Sequence, residues 1–240
     1  MSSATTADHR RMRKQLAPAF SRASLNEQEA SLARHISLLV KCLTERADEE
    51  IPINVVDWFN FITIDFIGEL TVSESFHCLE NNDYHPWIHS IFAGIRGVAL
   101  NRVLGYFEPL RILVKWTKIN RDVAADEGVR QFARQLTQNR LSYGDRKINA
   151  CNDITTFMLK KTSDGRERMS SQEIITTTPV LVISGSETTA AALSGLWFYL
   201  LQDAERHQVV CEEIRTRYDS EKSITFQNTA ELMYLNACIE

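Results

Sequence analysis

Residues 179–201, "PVLVISGSETTAAALSGLWFYLL", constrain this chain more than any other stretch. The apolar run is too long for a strand and reads as a helix starting near Ser170 or Ser171 and ending near Leu201, roughly 45 Å at 1.5 Å per residue. A helix that long crosses a whole domain, so the other elements must be arranged along it. Ser170 or Ser171 can cap it, with Glu173 near its first turn. Pro179 lacks the amide that would bond the Ile175 carbonyl, which loosens the early turns.

Composition supports a helical array. Only 9 Gly and 5 Pro in 240 residues leave few positions for tight turns, favouring long helices over a sandwich or barrel. A content of 44% hydrophobic and 24% charged residues is that of an ordinary globular chain able to bury a large core. The net charge of -4 gives no electrostatic footprint for nucleic acid, so no nucleic-acid partner is expected. Cys42, Cys78, Cys151, Cys211 and Cys238 are scattered without a C-x-x-C pair, as expected of free thiols in a reducing compartment. No apolar run reaches the roughly 20 uninterrupted residues of a membrane span, and "SSATTADHRR" after Met1 reads as neither signal nor anchor.

Helical periodicity predicts an all-α fold. A basic first helix covers about residues 8–20, and "SLNEQEASLARHISLLVKCLTERADE" follows with a capping box of Ser24 and Glu27. "VVDWFNFITIDFIGELTVSESF" is apolar enough to lie inside the domain, and "NNDYHPW" breaks the chain before "IHSIFAGIRGVALNRVL". Pro109 precedes a longer helix reaching about Leu141, while "SYGDRKINACN" and "KTSDGRERMSS" read as exposed loops. After the long helix come "DAERHQVVCEEIRTRYDSEKS", at most one short strand near "SITF", and a final helix "NTAELMYLNACIE".

The polar break in the long helix is the candidate site. Gly185 removes a side chain from the face that also carries Leu181, Thr188 and Ala192. The Thr188 hydroxyl can bond back to the Ser184 carbonyl, which opens a helix and admits water. Glu187 costs several kcal/mol to bury unpaired and so must find water, a cation or a proton relay. Two readings of this spacing stay open: a groove that delivers protons to a bound ligand, or a surface helix whose polar patch faces solvent.

"SGSETT" within a long apolar helix resembles the [Ala/Gly]-Gly-x-[Asp/Glu]-Thr-[Thr/Ser] signature of cytochrome P450 monooxygenases. Further matches occur in family order. "DHRRMRKQLAPAFS" resembles the helix that clamps the haem propionates, "VVDWFNFITIDFIGELTVSESFHCL" a segment of fungal members, and "LMYLNACIE" the run entering the Glu-x-x-Arg helix. The resemblance implies that Thr188 and Glu187 organise water and protons on the distal side of the haem, where Ser184 and Gly185 also lie. His9 and Arg13, four apart on one helix face, become propionate ligands, with Arg10, Arg11 and Lys14 turned to solvent or a partner. The implied enzyme inserts one atom of O2 into an apolar small molecule, with electrons from NADPH-cytochrome P450 reductase, at the cytosolic face of the endoplasmic reticulum membrane.

The sequence also departs from the family. Ser184 stands where Ala or Gly is preferred, and the Phe-x-x-Gly-x-Arg-x-Cys-x-Gly loop that ligates the iron has no counterpart. The Glu-x-x-Arg motif is expected to begin at or just after Glu240, and the N-terminal anchor and β-rich parts of the fold are expected to lie outside these residues. Residues 1–240 are therefore expected to form the middle of a P450 fold, a partial domain inactive by itself. The alternative is a non-catalytic helical ligand-binding or interaction module. The apolar "IFAGIRGVALNRVLGYFEPLRIL" suggests a lipid-like or terpenoid ligand beneath it, or simply core packing.

Overall fold

A computed structural model describes residues 5–88, 106, 131–132, 134–140, 142, 153–160 and 169–240. The named helices among them are α1 (Thr6–Leu16), α2 (Arg22–Asp48), α3 (Val55–Val72), α4 (Cys78–Asn81), α5 (Ile154–Leu159), α6 (Ser171–Gln202), α7 (Ala204–Arg217), α8 (Phe226–Thr229) and α9 (Met233–Ile239). No strand occurs among the described residues, in keeping with an all-α chain. All of the segment "IHSIFAGIRGVALNRVL" except Ile88, most of the helix expected after Pro109 and most of both expected loops lie outside the described residues.

The axis of the fold is α6 against α3. Ile67 of α3 meets α6 at Gly185 and Phe59 meets it at Trp197, with ring centroids 6.3 Å apart, so the two helices run antiparallel. A Cβ on Gly185 would lie 2.6 Å from Ile67 Cδ1 and 2.8 Å from Cγ1; glycine here allows the close approach of the helices. Around this contact Trp58, Phe61, Ile62, Ile64, Val72, Phe76, Leu79 and Val182 form the main core. A second cluster joins α1 to α5 and the start of α6 through Met12, Leu16, Met158 and Ile174.

Buried polar groups tie the elements together. The Arg140 guanidinium reaches Asp153 through Nε at 2.5 Å and Nη2 at 3.1 Å, both residues being almost fully buried. Ser73, the left-handed C-cap of α3, donates to the same carboxylate at 2.8 Å, so this ion pair joins residues 134–140, α5 and α3. Asp65 of α3 accepts the amides of Cys78 and Leu79 at 2.9 Å each and thereby caps α4, whose own N-cap side chain makes no such bond.

Several boundaries differ from the sequence reading. The first helix ends at Leu16 and passes into a 3-10 turn, Ala17–Phe20, because Pro18 withholds an amide. The N-cap of α2 is Ser21, whose side chain accepts from Ser24 N; Ser24 lies inside the helix with its Oγ buried and without a partner among the described residues. In place of a strand, the "SITF" region holds a 3-10 turn, Glu221–Ser223, leading into α8. The expected final helix is two, since the chain breaks between Thr229 and Met233.

Candidate functional site

The long helix begins as its sequence dictates. Ser170 is the N-cap, its Oγ accepting from Glu173 N at 3.3 Å while the Glu173 carboxylate accepts from Ser170 N at 2.8 Å, a complete capping box. Glu173 has a second partner that sequence reasoning missed. The Arg11 guanidinium of α1 bonds its other oxygen, so Arg11 pins α1 to α6 instead of facing solvent alone, and Asp8 takes a further contact at 3.4 Å. Arg11 holds the Glu173 carboxyl below its usual range, helped by the Ser170 amide.

His9 and Arg13 lie on exposed positions of α1, one turn apart, and neither has a hydrogen-bond or ion-pair partner among the described residues. The helix is fixed by Met12 and Leu16, buried on the flank next to His9, and by Gln15, which donates to the carbonyls of Phe157 at 2.6 Å and Lys160 at 3.2 Å. A rigid helix thus presents two unsatisfied cationic or donor groups side by side.

In the middle of α6 the hydroxyls bond to the helix's own carbonyls. Thr188 Oγ1 donates to Ser184 O at 2.6 Å, as the spacing predicts; Thr189 Oγ1 donates to Gly185 O at 3.0 Å and Ser186 Oγ to Val182 O at 2.8 Å. The break has two sides. Val182, Ser186 and Ala190 are buried toward α3, whereas Ser184, Glu187, Thr188 and Thr189 are exposed. Gly185 departs from the sequence reading: the space it leaves is occupied by Ile67, so its missing side chain serves helix packing and does not open the Thr188 face. Glu187 is exposed, so the burial problem anticipated for it does not arise in this chain.

An open apolar groove of about 790 Å³ runs from Thr189 along Ala192 and Leu196 of α6, with Tyr234, Ala237 and Cys238 of α9 on its other side. It reaches the polar break at Thr189. The structure therefore gathers Ser184, Glu187, Thr188 and an apolar groove on one helix. His9 and Arg13 stand apart from them: α1 meets α6 at Glu173, about 22 Å of helix axis before Thr188.

Four cysteines are free among the described residues, Cys151 lying outside them. Burial pushes the Cys78 thiol up to about 12 and raises Cys42, which makes both neutral packing groups near pH 7. No group of three or more His, Cys, Asp or Glu among the described residues could hold a metal ion, and no described helix is long and apolar enough to cross a membrane.

The chain resembles known proteins in sequence and in fold. The cytochrome P450 family model matches residues 1–240, and the chain belongs to that family. It is 32% identical over 233 residues to the cytochrome P450 monooxygenase lcsI of Purpureocillium lilacinum, covering 96% of this chain and 44% of that protein. It is 33% identical over 235 residues to a trichothecene C-4 hydroxylase of Trichoderma arundinaceum, covering 97% and 46% respectively. Among solved structures, the haem domain of cytochrome P450DA superposes with a TM-score of 0.74 at 16% identity, covering 94% of this chain and 47% of that one, which shows the fold. The chain spans about half the length of the curated relatives it matches.

Proposed function

We propose that this chain supplies the propionate clamp and the distal proton-handling helix of a haem-thiolate monooxygenase that inserts one atom of O2 into an apolar small molecule, by itself being inactive. The observation that carries the proposal is the 2.6 Å bond from Thr188 Oγ1 to Ser184 O on the exposed side of a helix whose opposite side is buried. The hydroxyl spends its proton on the carbonyl. Its lone pairs are left to accept from a water, whose remaining proton is then aimed away from the helix. Glu187, one residue earlier and exposed to solvent, can exchange protons with bulk water and re-supply that site.

The residues present fit a haem at its carboxylate edge. Among the described residues His9 and Arg13 have no hydrogen-bond or ion-pair partner, and they sit one turn apart on a fixed helix, as two propionates require. Bound haem supplies the oxygen chemistry, with a thiolate ligand favouring O–O cleavage. That thiolate belongs to the part of the family fold this chain does not span, since no cysteine here has the Cys-loop context. Ser184 and Thr188 would line the distal side, on a helix whose spacing from α3 is fixed by the packing of Gly185 on Ile67.

The relative named as a trichothecene C-4 hydroxylase supports hydroxylation of a small molecule of secondary metabolism, and the apolar lining of the groove supports an apolar one. A reductase drawing electrons from NADPH, and a place at the cytosolic face of the endoplasmic reticulum membrane, complete the proposal. The test is haemin binding followed by Soret absorbance. The purified chain joined to the missing half of a relative should show a thiolate-type band with carbon monoxide after reduction. Absence of that band from a folded hybrid would contradict the proposal and favour a non-catalytic helical ligand-binding module.

A further inference from the structure

The helix α9, Met233–Ile239, has little of its own to hold it. It has seven residues, none of them buried, and Leu232 at its N-cap offers no side-chain acceptor. Helices this short are unstable in isolation, and their first amides lack partners. Those amides find one on α7. Glu213 Oε1 accepts from Tyr234 N at 2.8 Å and Oε2 from Leu235 N at 2.9 Å, one amide to each oxygen. Negative charge at this end also suits the helix dipole.

Other attachments are weaker or local. Asn236 Nδ2 bonds Leu232 O at 2.5 Å and Thr229 O at 3.1 Å, within the α8–α9 stretch itself. The Arg217–Glu231 pair is about half exposed on both sides, where an ion pair contributes little. Leu232, buried just before the helix, is an apolar anchor without directional preference. Tyr234, Ala237 and Cys238 meanwhile form the α9 wall of the groove that opens at Thr189.

We propose that Glu213 is the positioning residue for this wall: its carboxylate, reaching across from α7, fixes where α9 stands and so sets the width of the groove. The same device caps α4 through Asp65. The role requires an ionised carboxylate, since only that form accepts from both amides without presenting a proton. The Tyr234, Leu235 and Met233 amides hold this carboxyl below the usual glutamate range. The titratable and charged groups on the elements that meet here are Glu205, Arg206, His207, Cys211, Glu212, Arg215 and Arg217 on α7, Glu231 before α9, and Tyr234 and Cys238 on it; Arg217 pairs with Glu231, and Arg206, which also lines the groove, with Asp203. The inference holds whether or not the chain takes up haem.

The experiment uses the 240-residue chain with ¹⁵N-labelled tyrosine and leucine. The Tyr234 and Leu235 amide signals should titrate together with a midpoint below that of an ordinary glutamate, and Glu213→Gln should abolish the titration while Glu212→Gln leaves it intact. At pH 7 a maleimide should alkylate Cys238 about tenfold faster in Glu213→Gln than in the wild type, relative to Cys211, because α9 detaches more often. Glu213→Asp, one methylene shorter, should fall between, and it stands in if the glutamine variant does not fold. Amide signals indifferent to the titration would overturn the proposal. So would an unchanged Cys238 rate in a variant that has lost the titration.

Discussion

Ile67 fills the space that a side chain at Gly185 would need, its Cδ1 standing 2.6 Å from where that Cβ would be. The glycine of the polar break is thus a packing residue between α3 and α6, while the hydroxyl and carboxylate beside it face outward. Gly185→Ala gains about 1 kcal/mol of helix propensity but overpacks this contact by about 1–3 kcal/mol. Urea denaturation should show a net loss of about 1 kcal/mol, whereas in an Ile67→Ala background, itself destabilised by the lost core side chain, Gly185→Ala should cost nothing further or stabilise. A more stable single variant would contradict the contact.

Asp153 and Arg140 form a buried pair whose halves depend on each other. Asp153→Ala leaves a guanidinium with its main partner gone and should cost about 3–5 kcal/mol in equilibrium unfolding. The double change Asp153→Ala with Arg140→Met should cost less than Asp153→Ala alone. A double variant worse than the single one would show that the pair does not act as a unit.

Glu173 links stability to pH. Its carboxyl is depressed in the folded chain, chiefly by Arg11, so it binds protons more weakly there than when unfolded. Its stabilising contribution is present above the unfolded pKa of about 4.3 and is lost as pH falls through the lower folded value. Unfolding free energy measured between pH 3 and 6 should therefore rise less steeply with pH in Glu173→Gln than in the wild type. Arg11→Ala should flatten the same window by a smaller amount, since Ser170 still bonds the carboxylate. Equal slopes in all three chains would exclude the link.

His9 and Arg13 should act on haem as individuals and not as general positive charge. Arg13→Ala should weaken haemin binding by about tenfold or more, read from Soret titration, because it leaves a propionate unpaired. Arg10→Ala, on the same exposed helix, should change it far less. Equal losses would assign the effect to net charge.

What was legible in the sequence was mostly local. Ser170 and Glu173 announce the start of α6 because a capping box needs only four consecutive residues, and the Thr188 bond to Ser184 follows from helix geometry alone. The same local rule misplaced the start of α2: Ser24 and Glu27 have the box spacing, but the 3-10 turn at Pro18 hands the chain to Ser21 first. The break before α9 has neither Gly nor Pro to mark it, and it is fixed by a carboxylate on another helix, Glu213. The use of Gly185 was hidden for a similar reason. A helical wheel places it beside Thr188 but says nothing of which neighbour, Ile67, fills the space.

The central claim is that the Thr188 hydroxyl, held by Ser184 O, steers protons on the distal side of a bound haem. The most direct test compares wild type, Thr188→Ala and Glu187→Gln in the hybrid enzyme described above. It measures product and hydrogen peroxide formed per reduced nicotinamide consumed. Thr188→Ala should keep haem and substrate binding nearly intact while diverting most reducing equivalents into peroxide, given that positioned proton donors contribute about 10²- to 10⁴-fold. Glu187→Gln should slow turnover with a smaller change in the ratio of product to peroxide. Full coupling in Thr188→Ala would contradict the account and leave Thr188 as a residue that shapes the helix alone.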